Sequence, residues 1–241
     1  MLSASKLIKA TYYAGKDFFR PPLVDIGRTG ATSAVMVPIR SLSPSHAERI
    51  TRHLLALSVS DRYLRFGYTA GDEQIRRYVA SLNFERDDIF GIYNRRLELI
   101  AMAHLAFSLE PDFTSCAEFG VSVLSHARGR GYGARLFDRA VMHARNEGVH
   151  MVFIHALTEN TNMLNIARQA GATVERDGAE TDAYLRLPPA DLDSRMTELV
   201  EERVAQTDYR LKVQAHQFWG FLHFMQEVRR GIREARDSTN S

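Results

Sequence analysis

Cysteine is nearly absent. Cys116 is the only one in 241 residues, so no internal disulfide and no multi-cysteine metal site can be built. That scarcity points to a reducing compartment, the cytoplasm. Lysine is almost as rare, confined to Lys6, Lys9, Lys16 and Lys212, and arginine carries the basic charge. A net charge of +2 is too small to imply nucleic-acid binding, and no nucleic-acid partner is expected. No apolar run approaches the eighteen or so residues of a membrane span. The N-terminus has no hydrophobic secretory core, despite Lys6 and Lys9. Repeats and low-complexity segments are also missing. What remains is an ordinary composition, 45% hydrophobic and 25% charged, sufficient for one globular domain with additions or for two small ones.

The most informative stretch is Phe119-Gly120-Val121-Ser122-Val123-Leu124 followed by Arg128-Gly129-Arg130-Gly131-Tyr132-Gly133-Ala134. Apolar alternation with β-branched valines predicts a strand, and Leu136, Ala140, Val141 and Ala144 recur at helical spacing after it. The glycines fall at the turn between. They let the backbone bend sharply and aim consecutive N–H groups outward, and the helix that follows adds its positive dipole end. This corner reads as a diphosphate cradle. It is not a nucleotide-triphosphate loop, because Gly-Lys-Ser/Thr is absent. A dinucleotide fingerprint fits Gly129, Gly131 and Ala134, yet His155 stands where that fold wants an acidic residue about twenty positions on. An unremarkable glycine-rich turn is the third reading.

Along the chain, residues 1–30 show no period, and Arg20-Pro21-Pro22 breaks any helix before them, which predicts an N-terminal arm. Thr32 to Arg40 is predicted as a first strand, and Ser43-Pro44-Ser45 as the start of a helix with Ile50, Leu54, Leu55 and Leu57 on its apolar side. Gly71 to Leu82 is predicted as a second helix. Asp88–Tyr93 and Glu98–Phe107, around Asn94-Arg95-Arg96, read as a hairpin. Met151–Ile154, Thr173–Glu175 and Ala183–Leu187 are further strands, and Pro188-Pro189 ends the domain.

The glycine corner, the strand Met151–Ile154 and Asn160-x-x-Met163 leading to Gly171 together resemble the GNAT superfamily of acetyl-CoA-dependent N-acetyltransferases. They look most like the GNAT domain of bacterial protein-lysine acetyltransferases. There the acidic-Asn-x-x-Met run ends in Gly-Phe; here the end is Gly171-Ala172. The resemblance covers residues 34–187. It implies an α/β fold, a mixed, mostly antiparallel twisted sheet flanked by helices, over residues 31–188. Residues 189–241 form a helical C-terminal extension outside it.

The implied reaction is acetyl transfer from acetyl-CoA, as co-substrate and without a metal, to an amine on a small molecule or a protein. Protein lysine is the favoured acceptor. Small amines, amino acids and antibiotics are alternatives, and so is a non-catalytic acyl-CoA-binding sensor. The resemblance makes Glu118 the general base, with His104 and His155 as alternatives on neighbouring strands. It places the pantetheine arm along Val121, Ser122 and Val123, with the Val123 N–H as oxyanion donor. Gly129, Gly131, Tyr132, Gly133 and Ala134 hold the diphosphate, aided by Arg128 and Arg130, and Asn160 meets the pantetheine. Leu57-Ser58-Val59 through Arg65-Phe66 resembles the acceptor-pocket wall, which makes Arg65 and Tyr68 substrate contacts. Arg65 has a structural alternative, tying two segments together through a carboxylate. One departure stands out: the family's thiolate-protonating tyrosine falls at Ala167, which leaves the general acid unassigned.

The tail carries two apolar stripes. Leu192, Met196, Leu199, Val200 and Val204 form one, and Leu211, Phe218, Met225 and Ile232, with Ala215, Phe221 and Leu222, form the other. Such surface is expected to pack back on the domain or to form a homodimer seam.

Overall fold

The structure, a computed structural model, describes residues 37–108, 115–178, 180–191 and 193–214. The expected arm over 1–30 and the tail stripe from Ala215 through Ile232 lie outside the described residues. Seven strands among these form one sheet in the order β1-β2-β3-β4-β5-β7-β6. They are β1 (Arg40–Ser41), β2 (Asp88–Tyr93), β3 (Leu99–Phe107), β4 (Cys116–Val123), β5 (Met151–Leu157), β6 (Thr173–Asp177) and β7 (Glu180–Arg186). Every neighbouring pair is antiparallel except β4 with β5. The expected mixed sheet flanked by helices is therefore present.

Two segments differ from expectation. Among the described residues the first strand, expected over Thr32 to Arg40, is Arg40–Ser41. Residues 32–36 lie outside the described residues, and Pro38 has no N–H to give a ladder. Between α1 (Ala47–Leu55) and α3 (Asp72–Ala80) lies a further helix, α2 (Val59–Phe66), over the stretch that resembles an acceptor-pocket wall and for which the sequence pattern predicts no element. Its start is set by Ser58, whose Oγ accepts the Asp61 N–H at 3.1 Å, and its end by Gly67 at φ +76°.

α4 (Tyr132–Asn146) packs on β3 and β4, and α1 covers the other face of β3. The core meets at Phe119 of β4 and Phe137 of α4, both fully buried, whose rings lie edge to face at 4.9 Å and 82°. Each such ring contributes about 2–3 kcal/mol by leaving water. α5 (Thr161–Gln169) packs beside α4, where Gly133 leaves room for Ile166.

The tail helix α6, over 193–214, turns the opposite face inward from the one its apolar stripe suggested. Met196, Leu199 and Val200 are exposed, and the inward side carries Ser194, Glu198, Glu202 and Ala205. The cause is Arg139 of α4, only 3% exposed, which pairs with Glu198 at 2.6 Å and Glu202 at 3.4 Å. A buried guanidinium left unpaired costs several kcal/mol, more than the tail gains by burying one of its apolar side chains.

His143 completes this joint, bonded to Asp88 at 2.8 Å and to Glu198, with its ring edge-on to Phe90. Burial opposes a charged ring, but the hydrogen bonds to Asp88 and Glu198 raise its pKa to about 9. A raised pKa means that the folded chain binds the proton more tightly than the unfolded one. The stabilisation is then full below pH 6.5 and disappears as pH rises through 9. The loss is on the order of 3 kcal/mol. The thermal midpoint is expected to fall between pH 7 and 9.5, and to fall much less in His143→Gln. Parallel curves for the two proteins would remove His143 from this role.

Candidate active site

The parallel ladder between β4 and β5 pairs Cys116 with Met151, Ala117 with Val152 and Glu118 with Phe153, and ends there. Beyond it β4 continues to Val123, paired with a strand on its β3 side alone among the described residues. The bonds Ser108 N–H to Cys116 O and Leu124 N–H to Ile100 O fix the phase of that pairing. Even-numbered β4 residues exchange hydrogen bonds with β3, so Phe119, Val121 and Val123 aim N–H and C=O into the β4–β5 gap. An extended amide-bearing chain laid in this gap would find Val121 and Val123 presented as a strand edge. Ser122 is turned elsewhere. Its backbone faces β3 and its Oγ meets His53 Nε2 at 2.8 Å.

His53 is 2% exposed, and its Nδ1 lies 2.8 Å from Leu99 O. A carbonyl only accepts, so Nδ1 carries the hydrogen and Nε2 accepts from Ser122. Burial lowers the His53 pKa to about 4 despite the bond to Leu99 O, and the Arg65 charge adds to the fall. The ring is thus neutral at physiological pH.

At the end of the gap, Gly129 (φ +74°) and Gly131 (φ +73°) take left-handed conformations and α4 begins at once. These two glycines are needed for their φ angles. The first helical bond is Arg135 N–H to Gly131 O, no side chain caps the helix, and its first turn holds no acidic residue. The N–H groups of Tyr132, Gly133 and Ala134 therefore have no helical acceptor and, with the positive dipole end, could receive an anion.

The two arginines of this loop behave differently. Arg130 is exposed. Arg128 is engaged by protein groups, pairing with Asp61 of α2 and donating through Nε to Val123 O at 3.3 Å. Burial pushes the Asp61 carboxyl up, but hydrogen bonds from Arg128 and Ser58 hold it below the usual carboxylate range. Asn160 caps α5, accepting the Met163 N–H at 3.2 Å, and its Nδ2 donates to Leu64 O of α2 at 3.3 Å. Arg128 and Asn160 thus fasten α2 to the loop and to α5, the two sides of the gap.

The sheet face bearing Glu118, Gly120 and Ser122 is the one α1 and α2 cover, and Glu118 is exposed beside them. Arg65 of α2 lies flat on the strand: a Cβ on Gly120 would stand 2.6 Å from its guanidinium carbon. No carboxylate pairs with Arg65 among the described residues. Its Nη2 donates instead to Tyr78 Oη at 3.1 Å. Tyr78 Oη is 2.8 Å from His104 Nδ1, and His104 Nε2 is 3.2 Å from Asp87 Oδ2. Arg86 grips Asp87 with Nε at 2.5 Å and Nη2 at 2.7 Å. Burial and the Arg65 charge lower the His104 pKa, and Asp87 and Glu118 oppose them.

Tyr68 is 48% exposed beside Phe66, outside this network. His155 is exposed and bonded to Asp182 at 2.6 Å. Ala167, the departure noted in sequence, is wholly buried in α5. Sequence reasoning missed Tyr78, Asp87, Asp61 and His53. One signal existed for Tyr78, which follows Ile75 by three on α3 and shares its inward stripe. Among the described residues no cluster of His, Cys, Asp and Glu could hold a metal.

Residues 51–172 match the family model described as Acetyltransferase (GNAT) family. Among solved structures, the GNAT domain of S. lividans PAT is 19% identical over 62% of this chain and 89% of its own, with a TM-score of 0.54. The acetyltransferase of GNAT family from Streptococcus pneumoniae is 11% identical over 64% of this chain and all of its own (TM-score 0.51). The yncA protein of Salmonella typhimurium, solved with its cofactor acetyl-CoA, is 15% identical over 65% of this chain and 96% of its own (TM-score 0.51). No curated protein matches the chain.

Proposed function

Since the chain belongs to the GNAT acetyltransferase family, we propose that this acyltransferase moves the acetyl group of acetyl-CoA to the side-chain amine of a protein lysine. One observation carries the transfer chemistry. The open edge of β4 runs straight into the uncapped, glycine-rich start of α4, and Glu118 lies at the other end of that edge. Val121 and Val123 offer main-chain groups to the pantetheine amides, and the N–H groups from Gly129 to Ala134 take the diphosphate. The Val123 N–H is the oxyanion donor, because it points into the gap.

A lysine amine with a pKa of about 10.4 costs roughly 4 kcal/mol to deprotonate at pH 7.4. Glu118 takes that proton, directly or through one water. The lysine preference is supported by the open sheet face around Glu118. Register places Phe153 beside Glu118, Tyr184 opposite Phe153, and Glu175 and Asp182 one step further. Aromatic faces bordered by exposed carboxylates suit a cationic side chain. Arg65, on the opposite wall, favours a second reading in which the acceptor is a small amine bearing a carboxylate, such as an amino acid.

Release of CoA thiol with a panel of lysyl peptides, free amino acids and small polyamines tests the choice. Lysyl peptides are expected to give the highest kcat/KM. Turnover confined to amino acids transfers the assignment to the second reading. Binding of acetyl-CoA without release from any amine leaves only a sensor.

A further inference from the structure

We propose that Tyr78, backed by His104 and Asp87, forms a second proton path at the acceptor side of the site. It takes the proton that the acceptor nitrogen still carries after it has bonded to the acetyl carbon. The inference rests on the acetyl-transfer reading above.

The need follows from counting protons. An ammonium acceptor loses two on its way to an amide. Glu118 accepts the first, which frees the lone pair for attack. Once the C–N bond has formed, the nitrogen is positively charged, and expulsion of the amine competes with expulsion of the thiolate until a second proton leaves. One carboxylate holding one proton cannot take it.

The network is directional. A guanidinium donates and never accepts, so Arg65 Nη2 occupies Tyr78 Oη as donor, at 3.1 Å. The Tyr78 O–H is left to point at His104 Nδ1, 2.8 Å away. Asp87, buried and held by two Arg86 nitrogens, accepts only, so His104 carries its hydrogen on Nε2. Burial works against the Asp87 charge, yet the bonds from Arg86 and His104 keep its carboxyl below the usual range. Every link therefore donates from Arg65, resting on β4, through Tyr78 and His104 toward Asp87. A proton arriving at Tyr78 Oη displaces the phenol's own proton onto the His104 Nδ1 lone pair that already accepts it in a hydrogen bond.

The position suits the task. Arg65 rests against Gly120, the residue before Val121, and Glu118 is on the same face of β4. The charged and titratable groups facing His104 are Arg65 from α2, Tyr78 from α3, Asp87 with Arg86 from the segment before β2, and Glu118 from β4. Burial and Arg65 keep the resting ring neutral, as a proton acceptor must be.

In the step itself, an N–H bond of the tetrahedral adduct breaks and its proton bonds to Tyr78 Oη. The phenol's own proton passes to His104 Nδ1, giving an imidazolium beside Asp87. The C–S bond then breaks, and the thiolate leaves with its electron pair. The proton returns through Tyr78 to the sulfur, so the products are an N-acetylated amine and a thiol, with the first proton on Glu118 released to water. No oxidant or reductant enters.

Tyr78→Phe keeps the ring that packs edge-on to Phe66 at 5.2 Å and removes only the hydroxyl. It is expected to lower kcat by about tenfold to a hundredfold with both KM values unchanged. It should also remove the acid limb of the kcat–pH profile that belongs to His104. Asp87→Asn is expected to move that limb to lower pH, because the carboxylate that raises the His104 pKa is gone. Nitrogen-15 NMR of the imidazoles in the full-length chain should report His104 protonated on Nε2 and bare on Nδ1. An Nδ1–H tautomer, or a Tyr78→Phe enzyme with wild-type kcat and pH profile, overturns the relay while the transfer reading stands. Wild-type protein that releases no thiol with any amine overturns both.

Discussion

Replacing Glu118 by glutamine is expected to lower turnover at neutral pH by about a hundredfold to ten-thousandfold and to leave acetyl-CoA affinity unchanged. The size follows from the role, since an amide of the same shape cannot accept a proton. The absence of side effects follows from the position. Glu118 is exposed at the end of the β4–β5 ladder, and no described residue hydrogen-bonds or pairs with its carboxylate. Stability should therefore move by no more than about 0.5 kcal/mol. The β4 amides and the start of α4, to which we assign the cofactor, are untouched. The deficit should shrink as pH rises, because a growing share of the acceptor amine is already neutral. A stopped thiol assay from pH 6.5 to 10 checks this. Equal turnover of the two proteins at every pH would remove Glu118 from the mechanism.

Gly131→Val should cost about a hundredfold or more in acetyl-CoA affinity, measured by titration calorimetry with CoA and acetyl-CoA. Gly131 caps α4 at φ +73°, ψ 14°. A side chain there faces no crowding, since nothing lies within 4 Å of an added Cβ, so the whole cost is conformational. Left-handed backbone costs an L-residue about 1–2 kcal/mol, and more when it is β-branched. The loop can relax only by rotating the peptides that aim the N–H groups of 131–134, and each charge-assisted hydrogen bond lost is worth about 1.5–3 kcal/mol. Gly133→Ala is the control. Its Cβ meets only the flexible end of Ile166 at 3.2 Å, and its backbone is helical, so affinity should be retained. If Gly131→Val binds CoA as the wild type does, the anion seat lies elsewhere.

The strand, glycine turn and helix around position 130 were legible in the sequence because their signals are local. Valine alternation over 119–124 sets which side chains share a face, and two glycines two residues apart permit two left-handed φ angles in succession. The same locality explains the hairpin of β2 and β3 and the Asn160 cap three residues before Met163. Two further local signals act here: Pro38, which has no N–H to give a ladder, and Ser58 and Gly67, which bound α2.

Sequence alone determined the glycine-rich corner before α4 and the identity of the exposed carboxylate at the start of β4, since both depend on neighbours within a few positions. Tertiary structure decided what those residues answer to. Tyr78 is 13 positions from Arg65 and 26 from His104, and Ser122 is 69 from His53. Such bonds exist only once helix packing and sheet register bring the partners together. The inward face of α6 was settled in the same way, because a buried arginine on α4 outweighed the tail's own hydrophobic pattern.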